Sequence, residues 1–449
     1  MAIYKIFPSA DATLYSSYPV KNTGRDEVVE VAVKNSNDAL RFNSRALLDQ
    51  SPYYNYDLAA NDNYTVPSNI PATPDIRRGL LQFSNSDLTI LQAFASQSIS
   101  GSWKAALKMN LAFAQNLNTT YSLEAYAVTQ SWTMGTGKYA NVPESRNGTS
   151  WNTTGPSVGS AQWQQNPLYW GNNLLNNWED NISWLYWEGA TPALPSTFVT
   201  GGGSWNAAKS GSQYFDYMSN KDINMDVTLI MDAWFSGSVE NKGIILKHPD
   251  TIEQLSGSFV DLKFFSVDTH TIYPPCIEFR WDDSHYFPVG SNYILNNQFT
   301  LTLSNNPGVF KQGSIYKFRT ATRDTYPVRQ FTTSSVYLQS KYLPQETYWA
   351  IQDVKTNEML VDFDEQYTRV SADNISNYFN IYMNGLEPER FYRIIVKTKI
   401  YSTTLGPLSV YDNQQSIYNA LALYGPENLA LLPTEEFVVD NNLIFKVVR

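Results

Sequence analysis

The stretch Gly155-Pro156-Ser157-Val158-Gly159 spells the Gly-x-Ser-x-Gly of a nucleophile elbow. In such an elbow a sharp turn between a buried strand and a helix lifts a serine out for acyl transfer. The flanks here, Asn152-Thr153-Thr154 and Ser160-Ala161-Gln162, are too polar for that strand and that helix, so a plain loop is expected. Two groups of carboxylates, Asp282-Asp283 and Asp362 with Asp364 and Glu365, would suit glycoside hydrolysis. That chemistry needs two carboxyls roughly 5–9.5 Å apart across a cleft. Both groups fall at expected strand ends, where solvated turn residues are expected instead, and Asp282-Asp283 spells no calcium loop. His248, His270 and His285 are 22 and 15 residues apart, without the close ligand pairs of a zinc site. Gly201-Gly202-Gly203-Ser204 precedes Trp205 rather than a lysine and a helix start, so it reads as a tight bend and not a phosphate cradle. The single cysteine, Cys276, excludes an internal disulfide and reads as a buried strand residue beside Ile277 and Phe279. No catalytic residue, cofactor-binding residue or metal ligand is assigned, and no cofactor is expected.

Tryptophan is the stronger signal. Aromatic faces stack on sugar rings and anchor protein interfaces, because they bring large contact area at low entropy cost. Trp132, Trp234 and Trp281 lie in or beside strand-like or helical runs and are expected in the core. Trp163, Trp170, Trp178, Trp184 and Trp187 lie among Asn, Gln and Gly. Two readings stay open for these five: a small local core, or an interface or glycan platform.

The elements that must position these residues are strands. Aromatics make up 14 % of 449 residues and charged residues only 16 %, a bias toward pleated, half-buried surfaces. Val28–Val33, Ala106–Phe113 and Ser122–Val128 read as strands, with Gln115–Thr120 as a hairpin loop between the last two. Leu229–Trp234 predicts one or two helical turns closed by Gly237. Insertions near 43–75 and 133–203 interrupt the pattern, the first rich in tyrosine and the second in tryptophan and glycine. A boundary is expected after 283. Beyond it, Phe299–Leu303, Ile315–Arg319, a hairpin of Tyr348–Asp353 with Met359–Phe363, Tyr378–Met383 and Phe391–Val396 suggest a second sandwich. The apolar Leu443–Arg449 is expected to be tied into a sheet, its own or a partner's.

In order, Asp11-Ala12-Thr13, Asn22-Thr23-Gly24, the Arg77-Arg78 strand ending Leu81-Gln82-Phe83, Leu107–Leu111, Val227-Thr228 with Trp234, and Gly243–Lys247 resemble the DNRLRE-type domain. That family is a secreted or surface β-sandwich related to alginate-binding carbohydrate modules. The resemblance covers residues 1–283 and departs from the family at the two insertions. Leu386-Glu387-Pro388 followed by a tyrosine-bearing strand resembles the fibronectin type III and immunoglobulin-like pattern. The expected fold is all-β: two tandem antiparallel sandwiches with long loop insertions, 1–283 and 284–449. Sandwiches appended in this way look like accessory structural proteins of tailed bacteriophage virions, in a capsid, neck or tail.

Composition narrows the partners. With 32 Lys plus Arg, 42 Asp plus Glu and no basic run, nucleic acid is not an expected ligand, nor is an anionic membrane. The N-terminus lacks the basic and apolar segments of a secretory signal, so assembly in a host cytoplasm is expected, with the virion as destination. The expected function is non-enzymatic and works through contacts with other virion proteins, with a homo-oligomer and a surface polysaccharide as further candidate partners. The alternative is a carbohydrate-binding or host-recognition module.

Overall fold

A computed structural model of the chain describes residues 2–34, 75–115, 117, 120–163, 201–216, 218–253, 260–288, 294, 299–326, 340–401 and 434–449. The fold is all-β, with several antiparallel sheets. The first strands are β1 (Ala2–Ile6), β2 (Pro8–Tyr15), β3 (Val28–Lys34) and β4 (Asp75–Phe83), followed by helix α1 (Asn85–Ser96). Next come β5 (Trp103–Met109), β6 (Leu111–Gln115), β7 (Tyr121–Val128), β8 (Trp205–Phe215) and β9 (Ile223–Asp226). Helix α2 (Thr228–Phe235), β10 (Ile244–Lys247), the single turn α3 (Asp250–Glu253), β11 (Asp261–Phe265) and β12 (Cys276–Trp281) follow. The remainder comprises β13 (Phe299–Leu303), β14 (Val309–Lys311), β15 (Ile315–Asp324), β16 (Thr347–Asp353), β17 (Met359–Val361), β18 (Ser371–Ala372), β19 (Asn377–Tyr382), β20 (Arg390–Tyr401) and β21 (Thr434–Val448). Two compact units divide them: Ile6–Gln92 with Lys104–Glu278, and Met1–Lys5 with Ala93–Trp103 and Phe279–Arg449.

In the first of these units a large sheet runs β6-β11-β3-β4-β10-β7-β8, with β2 also paired to β4. Strand β4 is buried almost along its whole length because it lies inside this sheet. Side chains alternate between faces, so Ile76, Arg78 and Leu80 share one face and Arg77 takes the other. The first face packs on Ala12, Leu14, Val128, Trp132, Trp151, Trp163, Trp205 and Ile245. Strand β9 pairs with β5 and also meets β8, where Asn224 N–H donates to Gln213 Oε1 at 2.7 Å. Gly211 permits that approach, since a Cβ there would sit 2.2 Å from the Asp226 carbonyl oxygen. Helix α2 forms where expected. Asp226 Oδ1 accepts from Thr228 N–H at its start, Ile230, Met231, Ala233 and Trp234 are buried, and Gly237 lies at φ +71 beyond its end.

Two local expectations are corrected here. Ala106–Phe113 is not one strand, because it breaks at Asn110 into β5 and β6, which belong to different sheets. Gln115–Thr120 therefore does not close a hairpin: β6 pairs with β11, while β7 pairs with β10 and β8. Helix α1 was not anticipated. Ser86 N–H donates to Ser84 Oγ at its start, and it buries Leu88 and Leu91, three residues apart.

In the other unit the sheets run β13-β15-β19-β18 and β14-β21-β20-β16-β17. Between them lie Leu301, Phe318, Trp349, Phe379, Ile394 and Phe445, all buried. Strands β16 and β17 form the expected hairpin, with Asn357 at φ 58 in its turn. Strand β21 runs antiparallel to β20 and parallel to β14, so the apolar C-terminus is tied into its own sheet. The division between the units falls at Glu278/Phe279, inside β12, and this unit also takes in residues 1–5 and 93–103. An aromatic cluster accounts for that: Phe94 stacks on Trp281 at 4.3 Å, and Tyr4 and Tyr382 complete it at 5.2–5.9 Å.

Candidate functional site

A dense constellation of charge and aromatic surface surrounds Arg78 and Lys247, both fully buried. Strand β4 aims Arg78 at the tryptophan face, where its Nε and Nη2 donate to Glu253 Oε1 and Oε2 at 3.1 and 2.8 Å. Nη1 donates to the Gly202 carbonyl at 2.6 Å, and the guanidinium lies 4.9 and 5.2 Å from the ring centres of Trp151 and Trp205. Lys247, at the end of β10, places Nζ 2.5 Å from Asp250 Oδ1, 3.7 Å from Glu253 and 4.0 Å from Glu124. Burial, reinforced by the Arg78 charge, pulls the Lys247 ammonium down to a pKa of about 8. The cluster thus fastens α3 and the 201–203 bend to the central strands. Gly202, at φ +75, is needed there because a Cβ would meet Arg78 Nη1 at 2.4 Å.

On the opposite face Arg77 donates to Asp75 Oδ2 from Nε and Nη2 at 3.1 and 2.8 Å and to Glu30 Oε2 from Nη1, with the Tyr15 ring 5.1 Å away. Lys263 Nζ donates to Glu30 Oε1 at 2.6 Å. Burial alone would raise the Glu30 carboxyl, but Arg77 and Lys263 together hold it below its ordinary value. Two consecutive arginines in one buried strand are thereby neutralised on two faces.

The Asp-Ala-Thr and Asn-Thr-Gly fragments join the same framework. Asp11 Oδ2 accepts from Val267 N–H at 2.6 Å, and burial pushes its carboxyl up to about 7. Thr23 Oγ1 accepts from Thr13 N–H at 3.1 Å and donates to the Thr13 carbonyl at 2.8 Å. Asn22 Nδ2 donates to the Met134 and Thr149 carbonyls at 2.7 and 2.9 Å, while its Oδ1 accepts from Gly137 N–H at 2.8 Å. These polar side chains hold the loop that begins after β7.

Of the five candidate tryptophans, Trp163 is fully buried and donates from Nε1 to the Ser150 carbonyl at 2.9 Å. It belongs to the local core and offers no platform face. Trp170, Trp178, Trp184 and Trp187 lie outside the described residues. Trp132, Trp234 and Trp281 are buried as expected, and Cys276 is a buried residue of β12.

The other chemical candidates are tied into turns. Ser157 Oγ donates to the Arg146 carbonyl at 3.3 Å, within a run of bends and turns rather than a strand-to-helix elbow. Asp282 Oδ1 accepts from Ser284 N–H and Oγ, and Asp283 Oδ2 accepts from Asn380. Asp364 accepts from the N–H groups of Gln366 and Tyr367 and from Arg280, while Glu365 accepts from Lys399. His248 is sealed in the interior, where burial lowers its pKa to about 4, and His270 is exposed. Among the described residues no group of three or more His, Cys, Asp or Glu could hold a metal ion.

Sequence reading passed over Arg78, Lys247 and Glu253 as a group. The available signal was a cation inside each of two apolar strands, which demands a buried counter-charge. No protein-family model, curated protein or solved structure matches the chain.

Proposed function

We propose that this chain is a non-enzymatic structural protein of a tailed bacteriophage virion, in a capsid, neck or tail, that works through contacts with other virion proteins. The observation carrying the non-enzymatic part is the use of chemistry-capable groups as fasteners. The Asp282, Asp364 and Ser157 side chains bond turns, and the Arg78 and Lys247 cluster anchors elements to a sheet. Two sandwiches in one acidic chain suit a rigid component, and their appending to one another, as in accessory proteins of tailed-phage virions, supplies the virion context by analogy. The buried Tyr392 supports the immunoglobulin-like reading of the second sandwich, since its hydroxyl donates to the Glu387 carbonyl at 2.7 Å, five residues upstream. The virion, assembled in a host cytoplasm, is the proposed location.

A carbohydrate-binding role is the second reading and rests on the tryptophan-rich segment, with a surface polysaccharide as the ligand class. One paired experiment separates the two: antibody labelling of intact virions in the electron microscope, beside a polysaccharide array probed with the purified chain. Virion label without glycan binding is expected. Glycan binding with no virion label would overturn the structural assignment.

A further inference from the structure

The large sheet that contains β4 ends at β6, whose one strand partner among the described residues is β11. Exposed sheet edges are ordinarily blunted with charged residues or proline, because unpaired backbone groups invite another strand. Strand β6 has neither. Leu111-Ala112-Phe113-Ala114-Gln115 and the five residues after it contain no ionisable side chain and no proline. Its N-terminal end is guarded, since Leu111 N–H donates to Asp222 Oδ1 at 2.8 Å and the register with β11 shifts there. Phe113, Ala114 and Gln115 beyond the shift pair regularly with Lys263, Leu262 and Asp261. No residue of β6 is buried, and Phe113 is 49 % exposed.

The strand is also close to palindromic about Phe113. Antiparallel pairing of two copies around that residue sets Ala112 against Ala114 and Phe113 against its own counterpart, while Leu111, opposite Gln115, keeps its N–H on Asp222. Beyond the shift the Ala114 side chain lies on the face opposite to Phe113, and the small Ala112 and Ala114 add no bulk to the seam. Two chains that each carry a net charge of −10 repel; the side chains of β6 add no charge to the contact, and the Asp222 carboxylate stands at its Leu111 end. We propose that β6 is a self-pairing edge through which two copies of this chain join antiparallel across a two-fold axis, continuing the sheet from one to the other.

Sedimentation equilibrium of the full chain at micromolar concentration tests this, with Phe113→Lys, Phe113→Cys and Tyr214→Lys variants. The unmodified chain is expected to dimerise. Phe113→Lys sets two ammonium groups against each other at the axis and should raise the dimer dissociation constant at least about tenfold. Tyr214→Lys, on β8 at the other end of the sheet, should leave the dimer intact. Phe113→Cys, in a chain whose other cysteine is buried, should give a disulfide-linked dimer on mild oxidation at a rate independent of concentration. A monomeric unmodified chain, a dimer that survives Phe113→Lys, or a Phe113→Cys chain that does not cross-link overturns the proposal. So would capture of a strand from a different protein by β6 without self-association. The outcome is independent of the virion assignment, because it is read on the purified chain alone.

Discussion

Arg78 and Glu253 stand 175 positions apart, yet each is the other's principal counter-charge in a site closed to water. A buried ion pair stabilises little over an apolar pair of the same shape, but breaking one side of it is costly. Arg78→Met is therefore expected to lower stability by about 3–5 kcal/mol, and the double variant Arg78→Met, Glu253→Leu by less than the single one. Denaturant midpoints check both, and a double variant worse than the single one would contradict the pairing. Two other buried groups predict opposite pH effects. Asp11 titrates near 7 in the folded chain and near 3.8 unfolded, so its contribution is full below 3.8 and is lost as pH rises to 7. Asp11→Asn should accordingly gain on the unmodified chain between pH 4 and pH 8, by on the order of 4 kcal/mol. His248 is lowered from 6.5 to about 4, so its contribution is full above 6.5 and is lost as pH falls toward 4. Thermal melts of His248→Asn across that window should show a shallower acid limb than the unmodified chain.

Among the elements, strand existence was legible and strand partnership was not. The alternation in Tyr121–Val128 marks a strand wherever it ends up, because a half-buried strand needs one apolar face. The same alternation runs through Asn110 without interruption, so nothing local marked where β5 leaves one sheet and β6 joins another. Helix α1 escaped because it buries only Leu88 and Leu91, too narrow a stripe for a clear 3.6-residue period. Strand β21 carries a prediction at this scale. It supplies Phe445 and Val447 to the core and bonds to both β20 and β14. Truncation after Asn442 should abolish hydrogen-exchange protection in β14 and β20 while β4 and β10 keep theirs. Equal loss in β4 would mean that the two units do not open separately.

At the scale of the whole molecule, the two compact units are not consecutive in the chain. Ile3, Tyr4 and Phe94 belong with the unit that is otherwise built from residues beyond 278. A fragment of residues 284–449 is thus expected to melt well below the same sandwich in the full chain, because Ile3, Tyr4, Phe94 and Trp281 are missing and Tyr382 loses its ring partners. Circular dichroism melts decide this, and identical transitions would show the added segments to be dispensable. Periodicity, aromatic content and scarce charge were enough to determine an all-β chain of sandwiches, because burial of one strand face is a property of local sequence. The tertiary structure alone decided which strands adjoin, where the units divide, and that Arg78, Lys247 and Trp163 serve the interior. Backbone ladders are blind to side-chain identity, and the counter-charge of a buried cation can come from anywhere in the chain.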